Sequence, residues 1–319
     1  MYKFNKYYIE LLLIFFSFFR YSITIAQLKD NAIYSFTMFQ DVRVTIDAPV
    51  TTNAKKTILI LYALPNGNTT EQTMGKKIKE GDDWHFDIQH IRAQTRFIRD
   101  KLHNTSIVIA YLENSYKSWP IWKTKHQDYA AISKEIVDTL YSLIQSPKKS
   151  IYLESHSGGG RFIFSYLDAV TVIPTYVQRI IFLDSDYGYD SSYLPKLTSW
   201  IKNDKKHVLN VFAYNDSVAL YNGKTFVSAT GGTWYRSHLM LSQLSSFFNF
   251  KKTEDDSLVV FKSANDRIQF YFKTNPDKKI YHTTQVELNG FIHSVLSGTK
   301  YDSKGYRYFG KRAYSNLIE

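Results

Sequence analysis

The sequence predicts a single α/β domain: a mostly parallel sheet with helices packed on both faces. Three observations carry this. Short apolar runs recur along the chain, segments of helical periodicity separate them, and Gly, Asn or Asp turn signals close the runs. Residues 33–49 alternate and stop at Pro49, as an antiparallel strand or hairpin would. Residues 57–64 are continuously apolar, which suits a strand buried on both faces, and Pro65-Asn66-Gly67-Asn68 ends it. Ile88, Ile91, Thr95, Ile98 and Leu102 fall at helical spacing, and a strand follows at 106–112. Ile132, Ile136, Leu140 and Leu143 form one stripe of a helix over 129–144. Strand 149–154 then enters a glycine-rich turn and a helix over 161–167. A strand at 179–183 ends on Asp184, a helix covers 192–201, and a strand at 208–214 ends on Asn215-Asp216. A last pair of strands is expected at about 267–274 and 280–288. Residues 217–262 have room for a modest lid or insertion, and no linker, low-complexity run or internal repeat divides the chain.

A length of 319 residues allows one large domain with a substantial core. The chain has no cysteine, which excludes disulfides, thiolate metal sites and a cysteine nucleophile. Lys3 and Lys6, an apolar run from Leu11 to Phe19 and the small-residue pattern Thr24-Ile25-Ala26 describe a secretory signal peptide over 1–26. The run is too short to span a bilayer. Cleavage after Ala26 is expected to leave 27–319 as a secreted or periplasmic domain with no membrane span. The net charge of +11 invites a nucleic-acid reading, but the Lys and Arg residues are scattered, with only short clusters such as Lys76-Lys77 and Lys205-Lys206. A solvated basic surface, attracted to acidic glycans or envelope surfaces, accounts for the charge, and no nucleic-acid partner is expected.

The most informative stretch runs from Lys149 to Gly160. A strand reaches Ser157 with Ser155 two residues before it and Gly159 two after, and a helix follows at once. A serine held on so tight a strand–turn–helix corner needs small neighbours, and its hydroxyl stands above the sheet beside a helix N-terminus that favours developing negative charge. A purely structural reading is a glycine-rich turn needed for close packing.

This segment resembles the nucleophile elbow of the α/β-hydrolase superfamily, with Ser155 where the familiar pattern has glycine, and the resemblance extends over roughly 50–300. It implies an α/β-hydrolase fold and a Ser-acid-His order along the chain. Ser157 is then the nucleophile, and Asp216, at the end of its strand, takes the usual acid position. Asp184 and Asp186 are the alternative acids. His293, after the last expected strand, is favoured as base over His282, because a triad histidine sits on a loop and 280–288 reads as a strand. The resemblance places the oxyanion hole at the Gly158 N–H with a second donor from Leu64 or Asn66, Pro65 having none; Leu64 is favoured. No cofactor is implied. Asp184, Asp186 and Asp190 miss calcium-loop spacing, with Gly188 misplaced and Pro195 where a bidentate Glu belongs. His85, Asp87 and His90 do not fall on one helical face for a metal.

Carboxylic ester hydrolysis through an acyl-enzyme is the activity the resemblance implies, although amides, thioesters and lactones share its chemistry. Trp119 and Trp122, in the loop after strand 106–112, could stack on sugar rings or aryl groups, or could be core aromatics. The expected reading is an exported esterase acting on carbohydrate- or lipid-linked acyl groups. The alternatives are a non-catalytic glycan- or envelope-binding protein on the same scaffold and a secreted serine peptidase.

Overall fold

A computed structural model describes residues 33–49 and 54–319, and the expected leader lies outside the described residues. In chain order the elements are β1 (Ile33–Met38), β2 (Val42–Asp47), β3 (Lys56–Ala63), α1 (Thr70–Met74), α2 (Ile91–Lys101), β4 (Thr105–Asn114), α3 (Trp119–Lys125), α4 (Tyr129–Leu143) and β5 (Lys149–His156). There follow α5 (Gly160–Ala169), β6 (Val177–Leu183), α6 (Leu194–Asn203), β7 (Val208–Tyr214), the short pair β8 (Leu220–Tyr221) and β9 (Lys224–Thr225), and α7 (Thr233–Leu244). The chain finishes with β10 (Phe250–Asp255), β11 (Leu258–Ser263), β12 (Ile268–Lys273), α8 (Thr284–Glu287), α9 (Gly290–Leu296) and an irregular tail.

Ten strands form one sheet in the order β1-β2-β4-β3-β5-β6-β7-β12-β11-β10. The six central strands, β4 to β12 in that order, run parallel, while β1, β2, β10 and β11 pair antiparallel at the two edges. The central strands are apolar on both faces because helices cover both. Helices α3 to α7 pack on one face through Trp119, Ile136, Phe162, Leu197 and Met240. Helices α1, α2, α8 and α9 cover the other through Met74, Ile91, Val286 and Ile292, joined by Tyr306, Tyr308 and Tyr314 of the tail. From β3 the chain moves outward to β4 and then returns across β3 to β5. The loops after β3 and β5 therefore part company at one crevice on the carboxyl edge, the place where open α/β sheets build their sites.

Two expectations are corrected. No strand occupies 280–288: Tyr281 to Thr283 form a loop that leads into α8, and the strands beside β12 are β7 and β11. Residues 217–262 are not a separate lid. They supply α7, which packs on the sheet, and the edge hairpin β10–β11, leaving only β8–β9 outside the main sheet.

A buried polar cluster ties β5, β6, β7 and α9 together. Ser294 Oγ donates to Glu154 at 2.6 Å, and the Ser294 carbonyl accepts from Arg179 at 2.5 Å and Asn210 at 3.1 Å. Burial pushes the Glu154 carboxyl up to about 8, against the opposing effects of the Ser294 bond and the Arg179 charge. The folded state then holds a proton that the unfolded chain releases near 4.5, so this contribution to stability is complete below about pH 4.5 and is lost as pH rises through about 8. Glu154→Gln is expected to flatten the fall of Tm over that window, as read by thermal unfolding at several pH values.

Candidate active site

Ser157 sits where β5 gives way to α5, with φ at +55°. A non-glycine residue held in the left-handed region costs about 1–3 kcal/mol and persists only where its surroundings impose it. Here they do. A Cβ on Gly160 would lie 1.7 Å from the Ser185 carbonyl oxygen, and one on Gly159 would lie 2.1 Å from that of Ala63. The elbow is thus wedged between the ends of β3 and β6, and Gly160→Ala is expected to cost about 3 kcal/mol or more in urea unfolding. Ser155, which stands where the familiar pattern has glycine, has a partner: its hydroxyl lies 2.8 Å from Ser185 Oγ, which itself donates to the Ser155 carbonyl at 3.1 Å. The departure from glycine locks the elbow to the loop after β6.

That loop begins at Asp184, also left-handed at φ +48° and fully buried. Its carboxylate takes two hydrogen bonds, one from Thr233 Oγ1 at the start of α7 and one from His282 Nδ1. Because a carboxylate only accepts, Nδ1 is the donor toward Asp184, and Nε2 is the ring nitrogen with no partner among the described residues. The His282 carbonyl accepts from His156 Nε2 at 3.0 Å, and the two rings lie 4.6 Å apart. His282 is thereby anchored beside the residue that precedes Ser157, with a quarter of its side chain exposed (25%). No hydrogen bond joins Ser157 to His282 among the described residues, and such contacts commonly tighten only around substrate.

Asp216 opens the turn after β7 and lies in the same carboxylate cluster without contacting His282. It accepts from the Thr233 N–H at 2.9 Å, and burial followed by the Asp184 charge pushes its carboxyl up to about 6. Asp186 is buried against Ser237 at 2.8 Å, and burial raises it well above the ordinary carboxylate range. Three acids therefore share one region, and Asp184 is the one paired with a histidine.

His293 is elsewhere. It lies on α9, 5% exposed, over Phe212 and Tyr271 and stacked on Tyr308, with Nδ1 3.1 Å from the Tyr306 hydroxyl. Burial pushes its imidazole down, toward the neutral form. The expected Asp216–His293 pairing is thus absent; the geometry brings together the alternatives, Asp184 and His282. The Leu64 N–H is also committed, donating to the Leu112 carbonyl at 3.2 Å as the sheet continues past β3. Asn66, one turn further, is the residue packed on the elbow: a Cβ on Gly158 would fall 2.0 Å from Asn66 Oδ1. Trp119 and Trp122 are corrected too. They are 1% and 0% exposed, 5.2 Å apart edge to face, and packed on Phe162, so they are core aromatics closed to a sugar ring.

Two clefts share Tyr187 in their walls. One, about 280 Å³, is lined by Ser157, Gly158, Asn66, Arg161 and Tyr187; the other, about 300 Å³, by His282, Asp216, Tyr214, Tyr221, Phe226 and Tyr187. Among the described residues no group of three His, Asp or Glu side chains could hold a metal ion, and no helix is long and apolar enough to cross a membrane.

The parallel sheet, the crevice between β3 and β5 and the elbow after β5 make this an α/β-hydrolase fold. No family model and no curated protein matches the chain. Similar solved structures include a thermostable esterase (12% identity, TM-score 0.45, covering 82% of this chain). The chain spans 60% of that esterase, less than two thirds of its length. The siderophore hydrolase EstA from Aspergillus nidulans is similar at 12% identity and TM-score 0.43, with 84% of this chain and 96% of that one covered. Poly(aspartic acid) hydrolase-1 from Sphingomonas sp. KT-1 is similar at 12% identity and TM-score 0.42, with 84% and 97% covered.

Proposed function

We propose that this chain is a serine hydrolase of carboxylic esters with Ser157 as nucleophile, His282 as general base and acid, and Asp184 as the group that orients and charge-stabilises His282. The observation that carries the reading is the Asp184–His282 hydrogen bond, on a histidine held against His156, the residue next to the strained Ser157. His282 Nε2 takes the Ser157 proton as Oγ attacks the substrate carbonyl carbon. The C–O bond to the alcohol then breaks, the departing oxygen takes that proton from His282, and an acyl-Ser157 ester remains. Water, deprotonated by the same nitrogen, attacks the acyl carbon, the bond from that carbon to Ser157 Oγ breaks, and Oγ takes the proton back from His282 as the acid is released. The Gly158 N–H and a donor of Asn66, its N–H or side-chain amide, would hold the oxyanion, aided by the N-terminus of α5.

Turnover of p-nitrophenyl butyrate tests the reading. Ser157→Ala is expected to lower kcat by about 10⁴-fold or more while the folded state persists. Unchanged turnover would remove Ser157 from the chemistry. Absence of any turnover by well-folded wild type would favour a binding protein on this scaffold. Export is part of the proposal, and N-terminal sequencing of the exported protein is expected to begin at Gln27.

A further inference from the structure

Arg161 is the unanswered charge of this site. Among the described residues every other arginine donates to a carboxylate or a carbonyl, as Arg99 does to Asp47 and Arg267 to Ile201, whereas no hydrogen bond or ion pair engages Arg161. It stands in the first turn of α5, four residues after Ser157. It lines the Ser157 cleft and also the adjoining cleft of about 540 Å³, where it meets Lys123 and His126. Those two are already answered: Lys123 pairs with Asp168 at 3.0 Å and His126 with Asp41 at 2.7 Å. A partly buried guanidinium without an acid, beside a nucleophile, is arranged for an anion that arrives with the substrate.

The chemistry fixes which half of the ester carries that anion. His282 must hand its proton to the departing alcohol oxygen, so the alcohol lies on the His282 side, in the cleft lined by Tyr187, Tyr214, Tyr221 and Phe226. The acyl group then extends the other way, past Ser157 toward Arg161. We propose that the substrate is an ester of an acidic acyl group, carrying a carboxylate a few bonds from the scissile carbonyl and bound by Arg161, with an apolar or aryl alcohol. This rests on the assignment of Ser157 and His282 above.

The test compares p-nitrophenyl hemiglutarate with its neutral analogue, methyl p-nitrophenyl glutarate, each corrected for spontaneous hydrolysis, at low ionic strength. Wild type is expected to prefer the anionic ester by about tenfold to a hundredfold in kcat/KM. Arg161→Gln should bring the ratio close to one, and Arg161→Lys, which keeps the charge, should retain part of it. A wild-type ratio at or below one overturns the proposal, as does a ratio that survives in Arg161→Gln. Butyrate esters of 3-carboxy-4-nitrophenol form the third arm: an Arg161-dependent preference there places the anion on the alcohol and overturns the acyl assignment. Turnover of the neutral ester without preference sinks this proposal alone. No turnover of any ester and no fluorophosphonate adduct at Ser157 sinks the serine-hydrolase reading and this proposal with it.

Discussion

His282→Gln lowers kcat/KM for p-nitrophenyl butyrate by about 10³–10⁴-fold, whereas His293→Phe leaves it within about threefold once the protein is folded. The two histidines are eleven positions apart and differ in every physical respect. His282 is on a loop, a quarter exposed and hydrogen-bonded to a buried carboxylate, whereas His156, the other imidazole at the elbow, is fully buried, so losing the His282 imidazole removes the base the reading assigns. His293 is nearly closed from solvent and packed among Phe212, Tyr271 and Tyr308. Its substitution should register in thermal unfolding through lost packing and the orphaned Tyr306 hydroxyl, and Phe keeps most of the ring volume. Equal losses in both variants would mean that the imidazole of His293 reaches the chemistry, contrary to its position.

The acids separate in the same way. Asp184→Asn is expected to lower kcat by about 10⁴-fold, because an amide can present its NH₂ to His282 Nδ1 and turn the imidazole to the wrong tautomer. Asp216→Asn should cost tenfold or less, on the order of a single indirect electrostatic effect. Asp216 touches Thr233 and not His282, and with its carboxyl pushed up to about 6 it is already partly protonated in mildly acid solution, a state that the amide resembles. Measuring kcat against pH for both variants checks this. A larger loss in Asp216→Asn than in Asp184→Asn would restore Asp216 as the orienting acid.

Much of the architecture was legible in the chain because central parallel strands must be apolar on both faces, and runs such as 57–64 and 208–214 have no other simple use. The elbow was legible for a related reason: small residues around Ser157 are demanded by contacts that have no room for a Cβ, as at Gly159 and Gly160. The sequence favours His293 over His282 because residues 280–288 alternate as a strand would. Thr283-Thr284-Gln285-Val286-Glu287 reads equally well as the opening of a short helix, and tertiary packing chose α8. With Tyr281 to Thr283 a loop, the argument that a triad histidine belongs on a loop favours His282. The choice of acid had no local signal. Asp184 and Asp186 are two residues apart in one loop, and Asp184 pairs with His282 from a position 98 residues upstream. Asp184 also relies on Thr233, brought in by a helix that local sequence does not dock. Trp119 and Trp122 carried a usable clue: their separation of three puts both on one face of α3, the pattern of a helix turned to the core.

The most direct measurement is the rate and position of covalent labelling by a fluorophosphonate probe, read by intact mass and peptide mapping. The account predicts a single adduct on Ser157 in wild type, slowed about 10³-fold in His282→Gln and close to the wild-type rate in His293→Phe. Labelling of His282→Gln at the wild-type rate, or no adduct on well-folded wild type, would contradict the claim that Asp184 and His282 activate Ser157.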